Sequence, residues 1–374
     1  MPNLYPGDPA PWFTAPTRAN PRFVFSSVAG RYIVLMFVTS HGSDSAQAAL
    51  KAVRGQRKLF DDDRVALFGV TGDPADVVDA RIKDEVPGIR WFFDAEGEVR
   101  KAYDDDAGER LADGGWYLID PSLRIMASGP LSHTDGLLKM LAGLPAPDLH
   151  AGTTVMAPVL IVPRIFEPEF CKKLIEVYDR EGGNVSGFMR EVDGKTVAVH
   201  DESHKRRSDC LIEDEELKTQ CRVRIVRRLV PEVKKAFQFE ATRMERYLVA
   251  CYEDKKLGMF RPHRDNTTSG TAHRKFAVSL NLNAEEYEGG DLRFGEFGSR
   301  TYRPPTGGAV VFSCSLLHEA TPVTKGRRFV FVPFLYDEAG ARLREANMHL
   351  VEESIQGYRA GTVPDKPEAV AAES

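Results

Sequence analysis

Apolar and polar positions change their period several times along this chain, and each change marks an expected element. The run "RYIVLMFV" (31–38) is unbroken, as in a strand buried on both faces, whereas "SAQAALKAVRGQRKLF" (45–60) repeats its apolar residues at helical spacing. A second strand is expected at 64–70, "RVALFGV", and a helix over about 75–86. The runs "GGWYLID" and "RIMASG" flank the turn residues "DPSL" and predict a hairpin, after which "HTDGLLKMLAGL" forms a closing helix. The order strand-helix-strand-helix-strand-strand-helix implies an α/β domain, a mixed sheet with helices on its faces.

The texture then changes. The stretch "PAPDLHAGTTVMAP" (145–158) is rich in proline, glycine and threonine. It divides a first domain, 1–147, from a second at 158–360, with a linker at 148–157. Beyond it come a strand "VLIV", a helix over 167–181, and a hairpin in "VSGFMREVDGKTVAVH" with Asp193-Gly194 as its tight turn. A long helical pattern covers 213–238, apolar at Val223, Val226, Leu229, Val230, Val233 and Phe237, and Pro231 should kink or divide it. From Arg243 to Asp337 short strands are punctuated by glycine and proline, as in an all-β sandwich or barrel. The Ala/Glu/Pro-rich residues 361–374 predict a tail without fixed structure.

Composition narrows the setting. A chain of 374 residues exceeds one ordinary core, and apolar and charged fractions of 42% and 28% suit a globular protein. No apolar run approaches a membrane span, and "MPNLYPGDPAP" lacks the basic and apolar regions of a secretory signal. A formal charge of -5 argues against general nucleic-acid binding. The five cysteines are odd in number and form no CxxC pair, so free thiols in the cytoplasm are expected. All five lie beyond residue 170.

"PHRDNT" (262–267) carries the first candidate chemistry. In a strand His263 and Asp265 share a face, whereas a helix would set them about 200° apart. The strand in "VVFSCSLLHEATPV" ends near His318, a candidate third ligand. Two imidazoles and one carboxylate on one face of a metal leave its other positions open, as in non-haem ferrous oxygenases. A zinc hydrolase could use the same three ligands with a water. Downstream, "RRFVFVPF" puts Arg328, Val330, Val332 and Phe334 on one face, making Arg328 a buried cation in need of an anion. A register shift of one residue would give that role to Arg327. The glycine pair in "YEGGDLRF" tolerates a close backbone approach. His200, His204 and His273 lie in polar segments and are expected to be solvated, and Cys251 and Cys314 to be small core residues.

The pieces "HRD" (263–265), "SLNLNAEEYEGGDLRF" (279–294) and "HEATPVTKGRR" (318–328), in this order, resemble the catalytic core of the iron- and 2-oxoglutarate-dependent dioxygenases, in the prolyl 4-hydroxylase-like branch. The resemblance is specific over Tyr252–Tyr336 and extends loosely back to Val159. It implies a double-stranded β-helix of the jelly-roll kind. It also implies Fe(II) held by His263, Asp265 and His318, with Arg328 on the 5-carboxylate of 2-oxoglutarate. Of the tyrosines that orient the co-substrate in this family, Tyr252 fits the first position; Asn281 stands at the second, and Phe260 where a tyrosine is common. The implied reaction consumes O2 and 2-oxoglutarate, releases succinate and CO2, and hydroxylates a C–H bond of a protein, peptide (a prolyl residue among the options) or small molecule. L-Ascorbate is an implied accessory. An oxygen-, iron- or 2-oxoglutarate-sensing protein with little turnover is the other reading. The hairpin at 185–200 and the basic "HKRRSD" (204–209) precede the core, where related enzymes carry a lid.

"GDPAPWF", "GRYIVLMFV" and "GWYLIDPSLRIMA" make residues 1–145 similar to peroxiredoxins of the thioredoxin-like fold. That family places a peroxidatic cysteine at the head of the helix after the first core strand, where the helix dipole lowers its pKa. Here the segment is "TSHGSDSAQ" (39–47), without cysteine, and serine ionises too weakly to replace it. The expected roles are binding a partner, pairing two copies into a homodimer, or presenting substrate.

Overall fold

The computed structural model describes residues 4–78, 81–104, 111–352 and 361–362. It divides into two units, one of residues 1–157 with 294–300, the other of 158–293 with 301–374.

In the first unit the two long apolar runs become the strands Tyr32–Val38 and Val65–Thr71, every residue of both buried. They pair in parallel at the centre of a five-stranded sheet, flanked by Ile89–Phe93 on one side and the hairpin Gly115–Ile119/Ile125–Pro130 on the other. Helix Asp44–Gly55 buries Ala46, Ala49, Leu50 and Val53, the i, i+3, i+4, i+7 stripe that its spacing predicts. Ser43 caps it by accepting from the Ala46 amide. The helix expected over 75–86 is shorter among the described residues: Pro74–Val78, followed by irregular chain from 81. Val77 and Val78 are exposed there, so two β-branched residues of low helix propensity have no packing to hold them. The strand Ile89–Phe93 and a helix at Glu98–Tyr103 are additions to the expected order.

The second unit is built on two facing sheets. The larger contains, side by side, Arg243–Glu245, Phe334–Tyr336, Phe276–Asn281, Arg327–Phe331, Leu248–Glu253 and Ser208–Leu211. The smaller runs Lys205–Arg206, Met259–His263, His318–Ala320, Leu292–Arg293, Thr301–Tyr302. Alternation along each strand of the larger sheet separates two cores. Val249, Cys251, Val278, Leu280, Phe329 and Phe331 pack with the helices on one face. Leu248, Ala250, Tyr252 and Val330 point to the other, toward Phe260 and Ala320 of the smaller sheet. This is the expected jelly-roll arrangement, and it leaves the inner face free to carry polar groups.

Helix Pro168–Glu181 lies as expected. Pro231 divides the long helical pattern into Glu215–Arg228 and Val230–Phe237, and the buried stripe is Leu217, Cys221, Ile225, Leu229 and Val233. Val223, read as apolar-face, is exposed, one turn-step off that stripe. The hairpin Phe188–Val192/Lys195–Val199 turns at Asp193 and Gly194 with φ of 50° and 74°, the left-handed pair that a two-residue turn demands. Helix Glu338–Ala346 was not anticipated. Within the expected tail, Gly361–Thr362 pair with Arg243–Met244, and 363–374 lie outside the described residues. No described helix is long and apolar enough to cross a membrane.

Candidate metal centre

Neighbouring strands of the smaller sheet bring the two histidines together. His263 ends Met259–His263, His318 begins His318–Ala320, and the register pairs them directly. Asp265 follows two residues on, its amide donating to the Cys314 carbonyl at 2.9 Å. One atom from each of His263, Asp265 and His318 falls within 4.8 Å of the others. The Asp265 carboxylate lies 3.6 Å from His263 Nε2 and 3.3 Å from His318 Nε2.

The backbone selects the tautomers. His263 Nδ1 lies 2.8 Å from the Arg261 carbonyl and His318 Nδ1 3.0 Å from that of Leu316. A carbonyl only accepts, so both Nδ1 atoms carry the proton and both Nε2 atoms offer a lone pair toward Asp265. Burial and the neighbouring His318 lower the His263 pKa to about 4, which keeps that imidazole neutral. Two imidazole nitrogens and a carboxylate form a donor set suited to a divalent first-row metal. Phe260 stacks on the His263 ring, centroids 3.5 Å apart.

The larger sheet supplies the opposite wall of a cavity lined by all three of these residues. Arg328, Val330, Val332 and Phe334 line it together, so the single face read from "RRFVFVPF" is the inner one. Arg327 points the other way, half-exposed and paired with Asp179 at 2.7 Å. Arg328 is 3% exposed, lies over the Tyr252 ring at 5.2 Å and donates to Ser279 Oγ at 3.1 Å. Its Nε has no hydrogen-bond partner, and no carboxylate among the described residues pairs with it. Gly290, at φ 68°, makes room: a Cβ there would lie 3.1 Å from Arg328 Cδ and 2.7 Å from Val323.

Of the two expected orienting residues, Tyr252 lines the cavity and Asn281 does not. The Asn281 amide donates to the Pro304 carbonyl at 2.8 Å, and Ser279, two residues earlier on the same face, touches Arg328. Sequence reading missed Ser279, which shares a face with Asn281, so alternation alone does not choose between them. It also missed Arg207, which lines the cavity and is bound to the buried Asp209 at 2.7 Å. Two histidines expected in solvent are not there. His273 is 2% exposed, and half-buried His204 packs between Phe188 and Phe260, where burial and Arg190 lower its pKa to about 4. Both reside in polar stretches because the partners that bury them are distant in sequence.

In the first unit the segment 39–47 is a capped helix start. The buried Asp76 accepts from the His41 amide at 2.8 Å and from Thr71 Oγ1 at 2.7 Å. All five cysteines are buried, in the second unit.

Comparison with known proteins agrees in outline. Residues 247–336 match the family model of the 2OG-Fe(II) oxygenase superfamily, and residues 6–128 that of the AhpC/TSA family. The PKHD-type hydroxylase of Saccharophagus degradans is 31% identical over 131 residues, 33% of this chain and 57% of that protein. That of Shewanella frigidimarina is 32% identical over 85 residues, 22% and 38% of the respective lengths. The chain thus spans about half or less of the curated relatives it matches. Among solved structures, a prolyl-4-hydroxylase of Pseudomonas putida is 17% identical, covering 51% of this chain and 96% of its own at a TM-score of 0.39.

Proposed function

We propose that this chain, which carries a 2OG-Fe(II) oxygenase domain behind a peroxiredoxin-like one, is an Fe(II)- and 2-oxoglutarate-dependent dioxygenase. It would hydroxylate a C–H bond of a protein, peptide or small molecule. In this reading His263, Asp265 and His318 hold the ferrous ion through Nε2, a carboxylate oxygen and Nε2. The bound metal supplies O2 activation coupled to decarboxylation of the keto acid. Arg328, with Ser279 beside it, takes the far carboxylate of 2-oxoglutarate, and Tyr252 walls the co-substrate between them. Val330, Val332 and Phe334 keep water from that carboxylate, which strengthens its pairing with the guanidinium.

The observation that carries the reading is the buried Arg328 with an unpartnered Nε in the same cavity as the three metal-type donors. A zinc hydrolase needs the donors but has no use for that cation. The test is succinate formation from 2-oxoglutarate by the whole chain, with ascorbate present. Turnover is expected on adding ferrous iron and none with a chelator. Tight 2-oxoglutarate binding without succinate would favour the sensing role, and neither would end the proposal.

For the first unit the reading is a non-catalytic one: a site for a partner, for a second copy of the chain, or for substrate. Hydrogen peroxide consumption by the full chain with a thiol reductant is expected at the background rate. Thiol-dependent turnover would overturn this.

A further inference from the structure

The wall of the metal cavity carries positive charge that the co-substrate does not answer. Arg207, which directly precedes the strand Ser208–Leu211, and Arg246, which follows Arg243–Glu245, line the cavity along with Arg328. Arg207 is 9% exposed and holds the buried Asp209 through two contacts, Nε to Oδ1 and Nη2 to Oδ2, each 2.7 Å. Arg246 Nη2 lies 3.3 Å from the same carboxylate. The two guanidinium carbons stand 5.9 Å from the Tyr252 ring and 5.6 Å from the Phe334 ring respectively, and both rings face the cavity. The backbone of Arg246 has a φ of 69°, a left-handed conformation that a non-glycine residue adopts only at a cost. The neighbouring Glu245 is engaged elsewhere, 2.6 Å from Arg274 Nε and 3.6 Å from Arg344 Nε.

A guanidinium stays charged at any pH the fold survives. In the dioxygenase reading, a ferrous ion would meet Asp265 and the near carboxylate of 2-oxoglutarate, and Arg328 would meet the far one. Both of those groupings are then neutral. Arg207 and Arg246 share one carboxylate, Asp209, and keep one positive charge between them even with that group ionised. Lys205, buried with its ammonium 4.8 Å from the Phe260 ring, is left out of this count, because burial, with Arg207 beside it, drives its pKa far down. Two guanidiniums also carry more N–H groups than one carboxylate can accept. A buried cation in excess is costly, and a planar guanidinium suits an oxyanion best. We propose that Arg207 and Arg246 receive a further oxyanion, a carboxylate or phosphate carried by the substrate, so that the molecule hydroxylated is acidic. Calling that oxyanion part of the substrate rests on the dioxygenase reading; the anion site does not, because the surplus at Arg207 and Arg246 stands with or without metal and co-substrate.

The test is calorimetric titration of the full chain, loaded with Zn(II) in place of iron and saturated with 2-oxoglutarate, at constant ionic strength. Acetate, inorganic phosphate and the neutral acetamide are the probes. One anion per chain is expected to bind while 2-oxoglutarate stays in place, and acetamide is expected not to bind. Whichever of acetate and phosphate binds more tightly identifies the group the substrate carries. R246M, in which Asp209 keeps Arg207, should fold and weaken that anion about tenfold, whereas D209N, which leaves a second charge unanswered, should tighten it about tenfold. A purely structural role would not move affinity in both directions. Absent binding, equal binding of acetamide, displacement of 2-oxoglutarate, undiminished binding in a folded R246M, or no gain in a folded D209N would each overturn the proposal; should D209N not fold, R246M decides. Because this readout needs no turnover, anion binding without iron-dependent succinate would sink only the dioxygenase reading, and succinate without anion binding only this one.

Discussion

Replacing Asp265 with alanine is expected to weaken ferrous-iron binding by more than about a hundredfold, above what losing an outer-shell partner costs, and to end succinate formation. The carboxylate is the one anionic donor of the three, and it lies 3.3–3.6 Å from both imidazole Nε2 atoms. Without it two neutral rings, centroids 4.3 Å apart, face the ion, and neutral donors alone bind a hard divalent ion less tightly. The histidines should keep their places, because each is tied to a backbone carbonyl through Nδ1 and not to Asp265. The variant is therefore expected to fold, and the check is calorimetric Fe(II) titration with thermal unfolding. Iron should raise the melting temperature of the parent and not of the variant, since only binding to the native state stabilises it. An unchanged iron affinity would remove Asp265 from the site.

Arg328→Met is expected to act in the opposite sense on the unliganded protein. A buried guanidinium without an anion is costly, and an apolar side chain of similar length should stabilise the free chain by about 1–4 kcal/mol. The same change should weaken 2-oxoglutarate by about 2–4 kcal/mol, roughly two orders of magnitude or more, because the far carboxylate would be buried unpaired. Iron affinity should move little, since Arg328 lies on the larger sheet and the three donors on or beside the smaller one. Thermal melts with and without 2-oxoglutarate check both signs at once. Equal loss of iron and 2-oxoglutarate would contradict the assignment, as would a destabilised free protein.

The convergence of the three candidate donors was readable because each stands where a local pattern orients it. His263 and Asp265 follow an extended run beginning with the "MFRP" residues, and His318 opens a strand after "VVFS". Arg328 was distinguishable from Arg327 by the alternation that buries Val330, and the structure separates them as inner and outer side chains. Ser279 against Asn281 was not readable. Both lie on one face of Phe276–Asn281, and which of them meets Arg328 depends on where a neighbouring strand stops and where the Pro304 loop crosses. His273 escaped for a similar reason: Glu245, its partner, is 28 residues away, on another strand. In the first unit "IRWFF", bounded by Pro87-Gly88 and Asp94, is a strand too short for periodicity to mark.

What the chain determined by itself was periodicity and chemistry: two units, an α/β sheet then a β sandwich, a candidate set of metal-type side chains, and a segment 39–47 without a thiol. These follow from side-chain direction along one strand or helix, which successive residues carry with them. What only the tertiary structure decided was contact. The pairing of His263 with His318, the burial of Arg328 against Ser279, and the Glu245–His273 contact each join residues from different elements. Their geometry is set by sheet register and by which loops close over the face, quantities no single segment encodes.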